Sequence, residues 1–395
     1  MLGGGRCLGL VSDAFGGRGG IAQYNRDFFA ALANSALVSS ISILPRRAPD
    51  PFSLPPGISQ AAPRLGRIAY IQSALRSTLD RPADMVFCGH LYMAPLALLI
   101  ARWHRAKLIV QMHGIEAWPR PGRLQQGAVE AADLILCVSR YTRARVIEWA
   151  AIAPERVLVL PNTVGEAFTP GDGSALREAW GLQDKLVLLT VGRMDARERY
   201  KGHDRVIAAL PQLLAAGHDV VYVVAGGGND LTRVQYFAAE RGVAERVRFV
   251  GMLNQDVLVD AYRMADLFVM PSMREGFGIA FLEAMACGTP ALGLAAAGAV
   301  DALADGELGA LASEAEFAPM LARLLVIPKP DPQTLAAAVR DRFGHDAFSR
   351  RVQDLLAHVL RDSAESSAPA CETDCMNSFP CGALIDLGDT RRRTV

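Results

Sequence analysis

The chain has 395 residues, of which 51% are hydrophobic and 21% charged, and its formal net charge at pH 7 is zero. This length exceeds the usual size of one hydrophobic core, so two domains of an ordinary globular protein are expected. The most apolar stretches, residues 93–100 and 186–191, are too short to span a bilayer. The first residues lack a long apolar run with a cleavage site, so secretion is not expected.

Charge is distributed unevenly between the two halves of the chain. Residues 1–170 contain 18 Lys and Arg against 11 Asp and Glu, whereas the remainder contains 23 against 30. A basic first half is compatible with contact to an anionic membrane surface and equally with ordinary surface variation. We expect a cytoplasmic protein without a nucleic-acid partner, and peripheral contact with the cytoplasmic face of the inner membrane is one option.

Short apolar runs alternate with longer stretches of helical period along both halves. In the first half, strands are predicted at residues 7–12, 38–44, 85–88, 107–112, 134–138 and 157–160, and helices at 21–32, 68–79, 122–132 and 140–151. In the second half, strands are predicted at 186–191, 220–225, 247–250 and 267–270, and helices at 203–216, 231–241, 255–264 and 279–285. This alternation predicts an α/β fold with two doubly wound, Rossmann-like domains, whose ligands bind beyond the carboxyl ends of the strands.

Pro- and Gly-rich segments suggest where these domains end. We place a first domain at residues 1–165 and a second at 166–344, with the boundary inside the Pro-, Gly- and Thr-rich segment 161–173 and another linker near 327–332. Residues 345–362 are expected to cross back to the first domain. The polar remainder, 363–395, is expected to be a disordered tail.

Seven cysteines fall into two groups. Four lie in or beside apolar segments and are expected to be buried free thiols, namely Cys7, Cys88, Cys137 and Cys287. The other three lie in the polar tail without a CxxC pair or a His partner, so no metal site is expected at Cys371, Cys375 and Cys381.

The segment 274–284, REGFGIAFLEA, carries the strongest functional signal. A predicted strand ends just before it, Gly276 and Gly278 lie in the loop, and a helix is expected to begin at Ile279. Glycines allow the backbone to approach a ligand, and the first amides of a helix are free donors that suit a diphosphate. Glu275 and Glu283, on either side of this loop, could each accept hydroxyl hydrogens of a sugar or a ribose.

Other strand ends of the second half supply matching chemistry. Arg193 and Lys201 follow the strand 186–191 and could hold a diphosphate and stabilise its departure. The third predicted strand of this half, residues 247–250, leads into Gly251, Met252 and Leu253, whose backbone could contact the edge of a base.

The ordered motifs VGRMDARERYKGHDRVI, VVAGGGND, VRFVGMLN and ADLFVMPSMREGFGIAFLEAMACGTP resemble retaining glycosyltransferases of family 4, which have the two-domain GT-B architecture. The resemblance is strong over residues 187–312. It implies that Arg193 and Lys201 bind the donor diphosphate, that Glu275 contacts the transferred sugar and that Glu283 holds the ribose hydroxyls. It also implies that backbone amides of Phe277, Gly278 and Ile279 face the sugar and phosphates.

The first half resembles the acceptor side of the same family more loosely. Gly19 and Gly20, after the first strand, resemble the glycine loop that approaches the donor phosphate and the acceptor. The resemblance places His113 near the reacting carbon, and His90 follows the preceding strand of the same edge. Ser139 and Arg140 resemble a serine segment that approaches the acceptor.

Two departures from the family pattern concern the hinge and the end of the site. Residues 161–165 read Pro-Asn-Thr-Val-Gly where the family commonly has Pro-Asn-Gly-Val-Asp, so Thr163 and Gly165 could alter the hinge backbone. Residues 293–300 are more apolar than the usual sequence after the Gly-Thr-Pro turn. Neither departure removes an expected donor ligand.

The resemblance implies transfer of a hexose from a nucleotide-diphosphate sugar with retention of configuration and without a metal or other cofactor. GDP-mannose is slightly favoured over UDP-glucose, and the expected acceptor is a lipid-linked oligosaccharide in exopolysaccharide or lipopolysaccharide biosynthesis. A GT-B epimerase or phosphorylase and a non-catalytic sugar-nucleotide-binding subunit are the alternatives. A nicotinamide oxidoreductase, suggested by glycines 226–228, is rejected because the full fingerprint spacing is missing.

Overall fold

In the computed structural model, which describes residues 5–79 and 82–365, the first half forms a parallel seven-stranded sheet of order β3-β2-β1-β4-β5-β6-β7. Its strands are β1 (Gly5–Asp13), β2 (Val38–Arg47), β3 (Ile58–Gln60), β4 (Met85–Cys88), β5 (Lys107–Met112), β6 (Leu134–Cys137) and β7 (Val157–Val159). Its helices are α1 (Gly20–Ala33), α2 (Arg67–Leu79), α3 (Ala94–His104), α4 (Arg123–Glu130) and α5 (Arg140–Trp149). One apolar cluster joins α2–α5 to one face of the sheet, while α1 covers the other face.

The second half forms a parallel six-stranded sheet of order β10-β9-β8-β11-β12-β13. Its strands are β8 (Leu186–Val191), β9 (Val220–Ala225), β10 (Val247–Gly251), β11 (Leu267–Met270), β12 (Ala291–Leu294) and β13 (Ala310–Ala312). Its helices are α6 (Ser174–Ala179), which precedes β8, and then α7 (His203–Ala215), α8 (Leu231–Glu240), α9 (Gln255–Met264), α10 (Ile279–Ala286), α11 (Ala299–Ala302), α12 (Phe317–Leu324) and α13 (Pro332–Phe343). Every residue of β9 is buried, as expected for a parallel strand covered on both faces. The predicted α/β fold with two doubly wound sheets is therefore confirmed.

The glycine triplet after β9 serves backbone packing. Gly226 and Gly228 have φ values of 136° and 156°, a region that L side chains rarely adopt. A Cβ on Gly226 would lie 1.9 Å from the Gly192 carbonyl oxygen, and one on Gly228 would lie 2.1 Å from that of Met194. The triplet thus fits the loop after β9 closely onto the loop after β8.

The last described helix, α14 (His345–Glu365), lies against the first half. It packs against α1, where the ring of Phe348 meets the ring of Tyr24 edge-on at 5.9 Å. The helix continues to residue 365 and so overlaps the first residues of the proposed tail, whose disorder stays a prediction. The rest of the proposed tail, with its three cysteines, lies outside the described residues. The division into domains at residue 165 stays a prediction.

Two further expectations concern the apolar segments, namely the state of their cysteines and their ability to span a membrane. Cys7, Cys88, Cys137 and Cys287 are buried free thiols, and burial raises the pKa of the Cys7 thiol to about 12. Among residues 5–79 and 82–365, no helix is both long and apolar enough to cross a membrane.

Candidate functional site

A cleft of about 650 Å³ lies between the two halves, at the carboxyl ends of the strands of both sheets. This is the edge at which open α/β sheets bind ligands. Loops after β1, β5, β8 and β11 contribute most of its wall. Among the predicted site residues, the structure brings together Gly20, His113, Arg193, Lys201, Glu275, Phe277, Gly278 and Ile279.

Lys201 and Glu275 form the central ion pair of this cleft. The Lys201 ammonium donates to Glu275 Oε1 at 2.9 Å, and the two side chains are only 14% and 12% exposed. Lys201 ends a short 3-10 helix after β8, whereas Glu275 lies in the loop after β11. Since both strands belong to one parallel sheet, their ends bring the two charges together. A bound anion would therefore meet a lysine that is already held in place by a carboxylate.

Arg193 is the other predicted cation of the cleft, whose lining also includes Arg197 and Arg274, and it is far more exposed than Lys201. Its guanidinium donates to Glu198 Oε1, and the two side chains are 76% and 17% exposed. Glu198 Oε2 is buried and has no hydrogen-bond partner among the described residues. Glu198 was not among the predicted site residues. It lies between the predicted Arg193 and Lys201, and its contact with Arg193 is local, so spacing within this loop was the available signal.

The loop after β11 packs directly on the backbone of the first half. A Cβ on Gly276 would lie 2.0 Å from the His113 carbonyl oxygen, which is closer than real Cβ contacts allow. The Gly298 amide donates to the Glu275 carbonyl at 2.9 Å and supports the loop from behind. Gly278, with φ 101°, precedes α10, so the first amides of that helix lie beside the cleft.

His113 is neutral at physiological pH in this environment. Burial lowers the pKa of His113 to about 4, although a hydrogen bond to the Gly89 carbonyl partly opposes this shift. The Nε2 atom lies 3.0 Å from that carbonyl oxygen. Because a carbonyl only accepts, Nε2 carries the hydrogen and Nδ1 keeps its lone pair. Glu116, which sequence analysis did not select, accepts from the His113 amide at 2.5 Å.

The other predicted residues lie away from the cleft lining. Gly19 is exposed and precedes α1 with φ 84°. Gly251 accepts a hydrogen bond from the Gly226 amide at 2.7 Å, and Met252, which is followed by Leu253, is 83% exposed. Glu283 lies on α10 and accepts from the Tyr262 hydroxyl at 2.7 Å.

Three further residues of the first half have defined contacts. The Ser139 hydroxyl caps α5 by accepting from the Thr142 amide at 3.2 Å, so it is committed to the helix start. Arg140 instead bridges the two halves, donating from Nε to Asp301 Oδ1 at 2.8 Å. The His90 ring lies 6.4 Å from the His113 ring and accepts from the Tyr92 amide.

Thr163 and Gly165 occupy the connection between the two sheets. The Thr163 hydroxyl donates to the Phe343 carbonyl at 2.6 Å, and the Val164 amide donates to the same oxygen at 3.1 Å. Thr163 therefore links the first connection between the two halves, the segment between β7 and α6, to the end of α13 by a hydrogen bond. Asn162, next to it, lines the cleft, and its Oδ1 is buried without a hydrogen-bond partner in the part of the chain that the structure describes. Only the preceding proline and the short polar motif could have drawn attention to Asn162.

The described residues contain no group of three or more His, Cys, Asp or Glu side chains that could hold a metal ion. The expectation that the chain works without a metal stays a prediction.

Two family models match the chain. The model described as "Glycosyltransferase Family 4" matches residues 18–167, and "Glycosyl transferases group 1" matches residues 174–342. A GDP-mannose-dependent alpha-(1-6)-phosphatidylinositol monomannoside mannosyltransferase of Mycolicibacterium smegmatis is 35% identical over 55% of this chain and 60% of its own length. A D-inositol 3-phosphate glycosyltransferase of Stackebrandtia nassauensis is 36% identical over 73% of this chain and 71% of its own.

Solved structures agree on the architecture. An Anabaena protein in complex with UDP and glucose superposes with a TM-score of 0.72 at 17% identity, covering 90% of this chain and all of that one. At this identity the likeness concerns the fold. The chain spans about 60% of the length of the first curated relatives that it matches.

Proposed function

Because the chain belongs to glycosyltransferase family 4 and has the GT-B fold, we propose that it is a retaining glycosyltransferase that moves a hexose from a nucleotide-diphosphate sugar. The observation that supports this most directly is the cleft, in which Arg193 and Lys201 lie with Glu275 beside the start of α10. This arrangement combines two cations and the first amides of α10 for a diphosphate with a carboxylate for sugar hydroxyls. Catalysis by such a site consists mainly of positioning and charge stabilisation.

In the proposed reaction, the bond between the anomeric carbon and the donor phosphate oxygen breaks as the acceptor oxygen bonds to the same face of that carbon. The acceptor proton passes to the departing phosphate oxygen, and the nucleoside diphosphate leaves. Lys201 and Arg193 stabilise the negative charge that grows on the diphosphate. Glu275 holds a hydroxyl of the transferred sugar, while neutral His113 contacts the sugar through the Nδ1 lone pair and takes up no proton.

GDP-mannose is our favoured donor and UDP-glucose the next. A curated relative of this chain is named as GDP-mannose-dependent, which supports the first choice. The Anabaena structure holds UDP and glucose, which supports the second. Glu283 is proposed to hold the ribose in either case, since both nucleotides carry the same ribose. The backbone of residues 251–253 is proposed to approach the base.

The proposed acceptor is a lipid-linked oligosaccharide used in exopolysaccharide or lipopolysaccharide biosynthesis, reached at the inner membrane surface. The outer surface of α2, α3 and α4, together with the segment just before α2, supports peripheral contact with anionic lipid. Neither α2 nor α3 contains an Asp or Glu. The exposed side chains of this surface combine large apolar groups with arginines, namely Leu65, Ile68, Leu99, Trp103, Leu124, Arg64, Arg67, Arg76, Arg102 and Arg123. Such a mixture suits the boundary between lipid headgroups and acyl chains.

The test is release of nucleoside diphosphate from GDP-mannose and UDP-glucose, with and without an acceptor extract, by wild type and Lys201→Ala. Loss of the Lys201 ammonium, which stabilises the departing diphosphate, is expected to lower turnover by about 100-fold or more while the melting temperature changes little. Lys185→Ala is the matched control, because Lys185 forms an exposed pair with Asp219 on the same half.

The two alternatives predict different results. A non-catalytic subunit would bind a nucleotide sugar without releasing nucleoside diphosphate, and an epimerase would convert the donor without an acceptor. Full activity of Lys201→Ala would refute the proposed role of that lysine. Absence of thermal stabilisation by GDP-mannose, UDP-glucose, UDP-galactose and ADP-glucose would refute donor binding altogether.

A further inference from the structure

A buried tyrosine lies beneath the carboxylate that is proposed to hold the donor ribose. Tyr262 occupies the last turn of α9, and Glu283 lies on α10. The Tyr262 hydroxyl donates to Glu283 Oε2 at 2.7 Å, across 21 residues of chain. The contact therefore depends on how α9 and α10 pack, and neither helix could create it alone.

Tyr262 has little freedom to move. Its side chain is fully buried, and its ring meets those of Phe168 and Phe268 at centroid distances of 5.9 and 5.7 Å. Its carbonyl accepts from the Thr289 hydroxyl at 2.6 Å, just beyond α10. A ring enclosed in this way presents its hydroxyl in one direction, so it can fix the orientation of a carboxylate.

The second oxygen of Glu283 remains available. Within the part of the chain that the structure describes, Oε1 accepts no hydrogen bond and is not among the buried atoms without a partner. The Glu283 side chain is half-buried. One oxygen is thus engaged by the tyrosine, while the other can accept from a ligand hydroxyl.

We propose that Tyr262 is a positioning residue for ribose recognition, which holds Glu283 Oε2 so that this carboxylate accepts the 2′- or 3′-hydroxyl of the donor nucleotide. This inference rests on the proposed donor role of Glu283. It assigns to Tyr262 the discrimination between ribose and deoxyribose, although the tyrosine itself does not touch the ligand. The Tyr262 hydroxyl is needed to hold the Glu283 carboxylate in this orientation, and a phenylalanine ring of the same shape cannot hold it.

Protonation of Glu283 gives a second readout. Burial raises the pKa of Glu283 above its usual value, and the hydrogen bond from Tyr262 only partly opposes this increase. Among the described residues, the other titratable group that interacts with Glu283 is the thiol of Cys287, which follows the last residue of α10 and whose pKa burial raises to about 12. Without the tyrosine hydroxyl, the carboxylate should therefore take up its proton at a higher pH, and it then loses acceptor capacity.

The experiment measures the affinity of the full chain for GDP and UDP and for their 2′-deoxy and 3′-deoxy analogues by calorimetry at pH 8 and pH 6. Tyr262→Phe is compared with wild type. Tyr222→Phe is the matched control, since Tyr222 is equally buried in the same half and donates to Thr190 at 2.8 Å. Both substitutions remove one oxygen atom and keep the ring, and circular dichroism with a melting curve verifies folding.

Wild type is expected to prefer the ribonucleotide over one deoxy analogue by about 10-fold or more, as for a hydrogen bond to a charged group. Tyr262→Phe should reduce this preference by about threefold to tenfold, with the larger reduction at pH 6, whereas Tyr222→Phe should keep it. In a Glu283→Gln background, Tyr262→Phe should have no further effect on the preference, because both substitutions act on the same contact.

The possible failures are distinguishable. If wild type prefers ribose, Glu283→Gln removes the preference and Tyr262→Phe retains it, the positioning role is refuted and the donor role of Glu283 stands. Equal weakening of ribo- and deoxynucleotides in Tyr262→Phe also refutes positioning, since it indicates loss of packing. If wild type binds none of these nucleotides, or shows no preference that depends on Glu283, the proposed donor site fails and this inference with it.

Discussion

Replacing Gly276 by alanine should separate donor binding from turnover. The added Cβ would lie 2.0 Å from the His113 carbonyl oxygen and 3.3 Å from Gly114 Cα, both of which belong to the opposite half. Gly276 does not have a positive φ, so alanine strains nothing within its own backbone. The whole effect must therefore come from the contact between the halves.

The size of the effect follows from this overlap. Because Cβ atoms essentially never approach other atoms closer than 3.0 Å, the loop after β11 and the His113 segment must separate by about 1 Å. A displacement of about 1 Å in a reacting geometry can cost about 100-fold in rate. Lys201 and Glu283 belong to the same half as Gly276, so nucleotide affinity should change much less than kcat.

The assay is steady-state release of nucleoside diphosphate, together with calorimetric binding of the nucleotide alone. Gly127→Ala serves as control, because among the described residues no atom lies within 4 Å of its added Cβ and its φ is not positive. We expect kcat of Gly276→Ala to fall by about 100-fold and the nucleotide Kd to stay within a few-fold of wild type. Wild-type kcat in this variant would show that the two halves need not meet at Gly276 during catalysis.

Two further predictions concern stability. Burial lowers the pKa of both His113 and His203 to about 4. In the unfolded chain the same side chains take up their protons near pH 6.5. The free energy of unfolding should therefore decrease as pH falls from about 6.5 towards 4. Urea unfolding at pH 7 and pH 5 checks the sign, and a higher midpoint at pH 5 would contradict it. Asp266→Ala should cost about 2–4 kcal/mol, because Asp266 is buried and accepts from the Val187 amide at 2.7 Å and from Arg177. Asp219→Ala, which breaks only exposed pairs, should cost less than about 1 kcal/mol in the same urea titration.

The longer strands and helices were predictable because their apolar periodicity is strong. β8, β9 and β11 were predicted with the bounds that the structure has. The strands β3, β12 and β13 were missed, since they have only three or four residues and two of them are rich in alanine and glycine. Such strands owe their structure to pairing with a neighbour more than to their own sequence.

The site was predictable as a set of strand ends and less so as a set of contacts. Order along a parallel sheet indicates that the loops after β8 and β11 meet, and Lys201 and Glu275 do lie together. The sequence did not predict the hydrogen bond from Arg193 to Glu198 or the one from Tyr262 to Glu283. These contacts depend on side-chain direction and helix packing. The expected backbone contact at residues 251–253 lies outside the lining of the cleft.

The chain connects the two halves twice, first between β7 and α6 and again between α13 and α14, and this has a mechanical consequence. Thr163 and Val164 on the first crossing both donate to the Phe343 carbonyl, next to the second crossing, and all three residues are buried. Two connections fastened side by side allow bending about the line that joins them. Twisting one half against the other would break both hydrogen bonds and uncover apolar side chains. The halves should therefore open and close along a single rotational coordinate, so that each closure returns the loop after β11 to the same register on the first half.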